Sequence, residues 1–264
     1  MPPFDLEQGK LSVRVSEGVY YQFLADIEEF KFTKSDGSEN ANAFFNQLIP
    51  NLIAYRIEKR KDLRKFFENN IVHCIKESYQ DKLLYYMDDL FNYSYFDDYR
   101  EHYHNYMFHF RLNKSNIINL QDFFDELAAQ NQNKTTYLRN LFNEYANMRK
   151  DKREAICFDN EYSTVRRAIS ENLSINCYYN GENYSLIPYK VDLNYADGSL
   201  YLLSIEVGKP NLCHAFKVCW LRNVSLKETY FYQFSDKTKK KLDYLIYEYD
   251  YTDKPNIFLS RLKK

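Results

Sequence analysis

The chain has 264 residues, of which 18% are aromatic, and a formal net charge of −1. It is long enough for one large domain or two to three small ones, and its aromatic content allows large cores or interfaces to be built. No apolar run approaches the roughly 20 residues of a membrane span, and the first ten residues, MPPFDLEQGK, lack the basic and apolar segments of a signal peptide. We therefore predict a cytoplasmic protein with no membrane partner.

The first predicted element is a strand in KLSVRV, residues 10–15. Apolar and polar residues alternate there, and a period of two puts each set on its own face. The apolar set is Leu11, Val13 and Val15, and the polar set is Lys10, Ser12 and Arg14. A lone strand leaves its hydrogen-bonding groups unpaired, so we expect it to pair with the same strand of a second copy.

Two helices are predicted next, because apolar residues recur every three or four positions from Tyr20 to Phe30 and again from Ala41 to Ile53. Ser16 is expected to cap the first helix and Ser38 the second, with Pro50 kinking or splitting the second. The segment resembles the ribbon-helix-helix fold of small DNA-binding regulators. That resemblance implies that Lys10, Ser12 and Arg14 face a nucleic-acid groove, and that amides near Ser38 meet a phosphate.

Residues 56–154 are predicted to be helical throughout, and no internal repeat is visible in the sequence. The stretch EHYHNYMFHF holds three histidines, His102, His104 and His109. On a helix the first and last would share a face, but their spacing matches no metal or catalytic motif. We interpret them as surface or interface residues.

Strand patterns begin near Leu173, and Asn180-Gly181 and Asp197-Gly198 are hairpin signals. A further strand is predicted through Trp220, and several short antiparallel strands indicate a small curved sheet or barrel. Residues 209–264 hold 12 Lys and Arg against 6 Asp and Glu, so this quarter of the chain is basic. Its lysine run at residues 237–241 fits either a solvated helix face or a phosphate contact.

Residues 155–226 resemble a WYL domain. Pro188 matches the family's strand-ending proline, residues 200–202 (Leu-Tyr-Leu) its name-giving triplet, and Phe216-Lys217 its aromatic and basic pair. The resemblance implies an Sm-like, SH3-like barrel that binds nucleic acid or a nucleotide-like ligand. The residues that it points to for binding are Lys190, Tyr201, Lys217 and Arg222. A core position in the barrel is the alternative for Tyr201.

The predicted fold is therefore α+β, with four parts: a ribbon-helix-helix (residues 1–55), a helical region (56–154), a WYL domain (155–229) and a basic, aromatic extension (230–264). This order resembles the accessory proteins of type VI-D CRISPR systems. The resemblance implies a homodimer that binds single-stranded RNA and modulates an RNA-guided CRISPR RNase. A dimeric DNA-binding regulator with a ligand-sensing WYL domain is the alternative, and a homodimeric scaffold is the third reading.

No catalytic function is predicted, because the sequence has neither a phosphate-binding glycine loop nor a nucleophile motif. No cofactor is expected. The five cysteines form no CxxC pair, so we expect them to be reduced and mostly buried.

Overall fold

The computed structural model describes residues 9–92, 105–229, 232–246 and 256–259. The chain divides into two compact units, which we name the helical unit (Met1–Asn147) and the sheet unit (Met148–Lys264). Helices and antiparallel sheets are both present, which confirms the α+β class. Within the described ranges, no helix combines the length and the apolar character needed to cross a bilayer.

The helical unit repeats one order of elements, strand, helix, helix. The first set is β1 (Lys10–Val15), α1 (Glu17–Glu29) and α2 (Ala41–Asn70), and the second is β2 (Tyr106–Arg111), α4 (Lys114–Ala129) and α5 (Lys134–Ala146). Between them lie a 3-10 turn (Val72–Cys74) and α3 (Glu77–Asn92). Pro50 lies inside α2, which is not split there.

The two strands pair with each other in antiparallel register, with Ser12 opposite His109 at the centre. His109 follows Ser12 by 97 residues, and Asn113, before α4, follows Ser16, before α1, by the same interval. The antiparallel strand pair has a local twofold axis between Ser12 and His109, and the same order of elements follows each strand. Within the two strands only Arg14 and Arg111 are identical at this interval, and sequence reading missed the repeat.

The partner of β1 is thus in the same chain, and the prediction of a strand pair between two copies is corrected. Both outer edges of this pair are already engaged at defined points. The Asn42 Oδ1 accepts a bond from the Arg111 amide at 2.7 Å, and the Asn46 Nδ2 donates to the Arg111 carbonyl at 2.8 Å. On the other edge, the Arg139 Nε donates to the Arg14 carbonyl at 3.0 Å. These bonds occupy the Arg111 amide and carbonyl and the Arg14 carbonyl, which would otherwise be open to another strand.

Strand β2 also corrects the prediction that residues 56–154 are helical throughout. His109 lies on this strand, so the helical face that it was expected to share with His102 does not exist. His102 and His104 lie outside the described residues.

The core of the helical unit is built around Phe23, which is fully buried. Its ring centroid lies 5.0 to 5.8 Å from five other aromatic rings, those of Phe44, Phe45, Phe108, Phe142 and Tyr145. Edge-to-face and offset pairs at such distances add to the stabilisation from apolar burial. The cluster joins both helix pairs to the inner face of the ribbon.

Asparagine side chains cap three helices of this unit. Asn40, Asn113 and Asn133 each accept a bond from a backbone amide in the first turn of α2, α4 and α5. Ser38 was expected to cap α2, and this is corrected. Its amide and hydroxyl both donate to Asp36 Oδ1, at 2.9 and 2.7 Å, so that amide is already satisfied. Ser16 holds the cap position of α1 without a side-chain bond.

The sheet unit begins with two helices and continues as an open antiparallel sheet. Its elements are α6 (Lys150–Cys157), α7 (Asp159–Glu171), β3 (Leu173–Tyr179), β4 (Glu182–Leu193), β5 (Leu200–Glu206), β6 (Lys209–Lys217), β7 (Arg222–Thr229), α8 (Asp236–Leu245) and β8 (Asn256–Leu259). The strand order is β7-β3-β4-β5-β6-β8. Both predicted hairpins are confirmed, and Asn180 and Gly181 have φ of 46° and 94°, as a tight hairpin turn requires.

Two predictions for this unit are corrected. Among the described strands, β7 and β8 form the two edges and do not pair, so no closed barrel is present. Trp220 is not in a strand, because β6 ends at Lys217 and a 3-10 turn (Val218–Trp220) leads into β7.

Strand β5 is buried on both faces. Leu202 packs in a cluster with Phe216 and Val165 of α7, while Leu203 packs on the opposite face with Leu242 and Leu245 of α8. A strand covered on both sides reads as a continuous apolar run, which explains the sequence LYLLSI. The five cysteines are unpaired and four are buried, as predicted.

Candidate nucleic-acid interface

The antiparallel ribbon of β1 and β2 has one apolar and one polar face. Its apolar face is buried in the helical unit through Leu11, Val13, Val15, Phe108 and Phe110. The outward side chains, which we name the ribbon face, are Lys10, Ser12, Arg14, Met107, His109 and Arg111. All three residues predicted from the first strand therefore lie together on one exposed surface, and β2 adds three more.

At the centre of the ribbon face, the Ser12 Oγ lies 2.8 Å from His109 Nδ1. Lys10 lies opposite Arg111 at one end of the ribbon, and Arg14 lies opposite Met107 at the other. Directly opposed side chains in such a pair are about 4.5–5.5 Å apart at Cβ. The face thus presents three permanent cations and a histidine, with no carboxylate among its six residues.

Sequence reading missed His109 and Arg111. The signal was present in MFHFR, where Phe108 and Phe110 alternate with His109 and Arg111. A cap residue, Asn113, follows the run just as Ser16 follows β1. The apolar run is short, and the neighbouring residues are rich in tyrosine, so periodicity alone could not separate strand from helix.

An aromatic group lies beside the ribbon. The ring of Tyr20 stacks on those of Tyr106 and Phe108, at 4.8 and 4.9 Å between centroids, and Tyr21 is 55% exposed. Hydrogen bonds with Tyr21 and then with Glu17 raise the pKa of Tyr106 to about 12, so its hydroxyl remains protonated at neutral pH. These rings offer a surface on which unpaired bases can stack.

Two of the residues predicted in the sheet unit meet in its interior. Tyr201 and Lys217 are opposite each other on β5 and β6, and each is 5% exposed. The Asp197 Oδ2 accepts from the Tyr201 hydroxyl at 3.1 Å and lies 3.0 Å from the Lys217 Nζ. The ammonium also lies 4.7 Å from the centroid of the Trp220 ring. Their burial favours the core interpretation of Tyr201.

Burial acts to raise the pKa of Asp197, but bonds from the Ser199 amide and the Lys217 ammonium outweigh it and hold that pKa below its ordinary value. Asp197 is therefore ionised at neutral pH and forms a charged pair with Lys217. A ligand would have to break this buried pair to reach the lysine.

The other two predicted residues are also held by protein groups. The Arg222 Nη1 donates to the carbonyls of Cys219 and Leu221 at 2.6 and 2.8 Å. The Lys190 Nζ lies 2.7 Å from Asp192 Oδ2 and 2.8 Å from Asp243 Oδ1. The structure thus brings together Tyr201 and Lys217, while Lys190 and Arg222 have separate partners.

A buried carboxyl that sequence reading did not identify lies near this pair. Glu154 is completely buried, and its two oxygens each accept a backbone amide at 3.0 Å, from Leu200 and from Cys219. Burial raises its pKa to about 7, although both amide bonds and the charge of Lys150 act to lower it. Glu154 therefore ties α6 to β5 and to the 3-10 turn.

Within the part of the chain that the structure describes, no three His, Cys, Asp or Glu side chains come together in a way that would hold a metal ion.

No model of a known protein family matches the chain, and no curated protein matches it. A solved structure described as the crystal structure of a CRISPR Cas-related protein is similar in fold, with a TM-score of 0.66 and 16% sequence identity. The match covers 91% of this chain and 71% of that one. The fold described above is thus shared with a solved structure over almost the whole length of this chain.

Proposed function

We propose that this chain is a nucleic-acid-binding accessory protein of a CRISPR system. In this proposal single-stranded RNA is its ligand, and an RNA-guided RNase is the enzyme that it modulates. The similarity in fold to a CRISPR Cas-related protein supports the association. The observation that carries the binding function is the ribbon face, where Lys10, Arg14 and Arg111 are exposed on one surface of a paired ribbon.

A local concentration of cations matters more for binding a phosphate backbone than the net charge of the chain. The ribbon face supplies these cations on paired backbone, so a ligand has to order their side chains but not the strands that hold them. The exposed ring of Tyr21, beside stacked Tyr20 and Tyr106, adds a stacking surface for unpaired bases.

The ribbon-helix-helix interpretation is part of the proposal, in a modified form. In that family two chains each contribute a strand and two helices. Here the two strand-helix-helix sets of one chain supply both halves, and their strands pair through the Ser12 and His109 positions. This supports a single-chain version of the same nucleic-acid-binding arrangement.

The WYL interpretation of residues 155–229 also belongs to the proposal. It is supported by five antiparallel strands in which the last, β7, returns to pair with the first, β3. Lys217 and Tyr201 are buried against Asp197, so we assign the main nucleic-acid contact to the ribbon face and a supporting role to this unit.

A DNA-binding regulator is the second candidate, and the shape of the ribbon favours it. The major groove of B-DNA admits a two-stranded β-ribbon, and bases are read there by outward side chains such as Arg14 and Arg111. Under this candidate the protein prefers duplex DNA to single-stranded RNA.

Competition binding separates the two candidates. Labelled single-stranded RNA and duplex DNA are titrated with the protein and with Arg14→Ala, Arg111→Ala and a control of equal charge change, Lys65→Ala on α2. For RNA, each ribbon variant should weaken binding about threefold to tenfold, equivalent to about 0.7–1.4 kcal/mol. The slope of log K against log salt should flatten by about 0.7 for each phosphate that a variant no longer neutralises.

A preference for duplex DNA that the ribbon variants abolish would favour the regulator. Ribbon variants that bind both nucleic acids as tightly as Lys65→Ala does would exclude the ribbon face as the interface. The accessory role is tested by cleavage of target RNA by the guided RNase with and without the protein, where stimulation should be lost in Arg14→Ala.

A further inference from the structure

A second basic surface lies in the helical unit, away from the ribbon face. A cavity of about 320 Å³ opens between α2, α4 and α5. Its lining residues are Arg56, Ile57, Arg60, Lys61, Arg64, Phe123, Glu126, Leu127, Gln130 and Tyr137. Asn46 of α2 bonds to strand β2 of the ribbon. Arg60 of the cavity lies about 20 Å further along the same helix, at 1.5 Å per residue.

The charge of this cavity comes from one stripe of α2. Arg56, Arg60 and Arg64 are spaced by four residues and share one face of the helix, where like charges repel and destabilise it. Two carboxylates offset part of that repulsion. The Arg56 Nη1 lies 2.7 Å from Glu144 Oε2, and the Arg64 Nε lies 3.0 Å from Glu68 Oε1.

Cations predominate among the residues that line the cavity. Four of the lining residues are cations, Arg56, Arg60, Lys61 and Arg64, and one is a carboxylate, Glu126. Glu144 is shared between two cations, because Lys59 also approaches its Oε1 at 3.3 Å. A positively charged lining suits a phosphate monoester, which carries about −1.5 to −2 at neutral pH.

The opposite wall of the cavity is aromatic. The rings of Phe123 and Tyr137 are 5.3 Å apart between centroids, and the Arg56 guanidinium lies 5.7 Å from the centroid of Tyr137. Burial raises the pKa of Tyr137, so its hydroxyl stays neutral and able to donate a hydrogen bond. Aromatic rings beside guanidinium groups are the surroundings in which nucleic-acid bases stack.

We propose that this cavity binds a nucleoside phosphate, with the phosphate against Arg60, Lys61 and Arg64 and the base against Tyr137 and Phe123. Its volume is near the lower end of the range for small-molecule sites, about 300–1,000 Å³, and suits one nucleotide. The nucleotide is either free or one unit of a nucleic-acid strand. The site is separate from the ribbon face and does not depend on the function proposed for it.

The test measures binding of AMP, adenosine and inorganic phosphate by calorimetry, and of an unstructured oligoribonucleotide by anisotropy, with the full chain. Arg60→Ala should weaken AMP binding at least tenfold, and Lys65→Ala, outside the cavity on the same helix, less than twofold. Arg60→Lys should give an intermediate loss, because it keeps the charge without the planar fork. Tyr137→Leu should weaken AMP but not phosphate, and circular dichroism verifies that each variant is folded.

A free nucleotide is indicated if AMP binds saturably and is lost in Arg60→Ala while the oligoribonucleotide is unaffected. A nucleotide within a strand is indicated if the oligoribonucleotide is the ligand that Arg60→Ala weakens. The proposal is overturned if neither ligand distinguishes Arg60→Ala from Lys65→Ala, or if adenosine binds as tightly as AMP. Arg14→Ala and Arg111→Ala, measured in parallel, report on the ribbon face independently of these outcomes.

Discussion

Lys10 and Arg111 are directly opposed on the ribbon face, and like charges in that arrangement destabilise a strand pair. The ribbon thus carries an unfavourable interaction on its exposed side, although either position would accept a neutral or acidic residue without disturbing the core. An anionic ligand lying across the pair would remove the repulsion. Residues that bind a ligand often lower the stability of the protein that carries them.

Lys10→Glu should therefore have opposite effects on stability and on binding. Replacing the repulsion by an attractive pair should raise the free energy of unfolding of the helical unit by about 0.5–1 kcal/mol. Affinity for RNA should fall at least tenfold, because a carboxylate now faces the phosphates. Urea unfolding and anisotropy on the same samples check both, and a stabilised variant with unchanged affinity would contradict the assignment of this face.

Glu154 predicts a dependence of stability on pH. Its pKa is about 7 in the folded protein against 4.5 ordinarily, so the folded state binds the proton more tightly. The resulting stabilisation is fully present below pH 4.5, declines as pH rises, and is lost above about pH 7. It amounts to about 3 kcal/mol at most.

The Glu154→Gln variant should lack this component. The difference in unfolding free energy between wild type and Glu154→Gln is measured at pH 5, 6, 7 and 8. The fluorescence of Trp220, the single tryptophan, reports on the sheet unit. The amount by which the unfolding free energy of wild type exceeds that of Glu154→Gln should shrink steadily as pH rises. A difference that stays constant would mean that Glu154 does not titrate in this interval.

At the scale of elements, α2 holds β2 through asparagine side chains. Asn46 donates to the Arg111 carbonyl, accepts from the Asn113 amide at 2.7 Å, and contacts Asn116 through its side chain and its carbonyl. The Asn42 side chain accepts from the Arg111 amide at 2.7 Å, and the Asn42 carbonyl accepts from the Asn46 Nδ2 at 2.8 Å. These bonds replace the neighbouring strand that an exposed β2 edge would otherwise recruit.

Asn46→Ala should destabilise the helical unit by about 2–3 kcal/mol, because it leaves several polar groups without partners. Asn42→Ala removes one exposed bond and should cost about 0.5–1 kcal/mol. Far-UV circular dichroism during urea unfolding should show the graded loss. Equal effects of the two variants would mean that α2 does not fix the ribbon in this way.

The sequence predicted the elements whose signals are local. The alternation in β1, the stripe of α2 and the two hairpin turns were readable because each rests on neighbouring residues. The pairing of β1 with β2 was not readable, because His109, the partner of Ser12, lies 97 residues further along the chain. Within the two strands, only Arg14 and Arg111 are identical at that interval. For the candidate site, Lys10, Ser12 and Arg14 were found by alternation. The buried pairing of Lys217 with Asp197 depends on tertiary contacts that no local pattern encodes.

At the scale of the whole molecule, the homodimer stays a prediction. Its basis is now the aromatic C-terminal segment YFYQF…YLIYEYDY, part of which lies outside the described residues, since β1 pairs within its own chain. Light scattering at micromolar concentration should give twice the chain mass of 31.9 kDa. A monomer would remove the dimer and leave the ribbon face intact.

Because both halves of the ribbon come from one chain, they need not be alike. In a homodimer the twofold axis repeats every side chain, so such proteins bind palindromic sites. Here the axis relates Arg14 to Arg111, but it relates Lys10 to Met107 and Ser12 to His109. If the ribbon face binds nucleic acid as proposed, a strand lying along it would meet a different series of side chains when its 5′ and 3′ ends are exchanged. Under that proposal, the protein should distinguish the direction of a non-palindromic target.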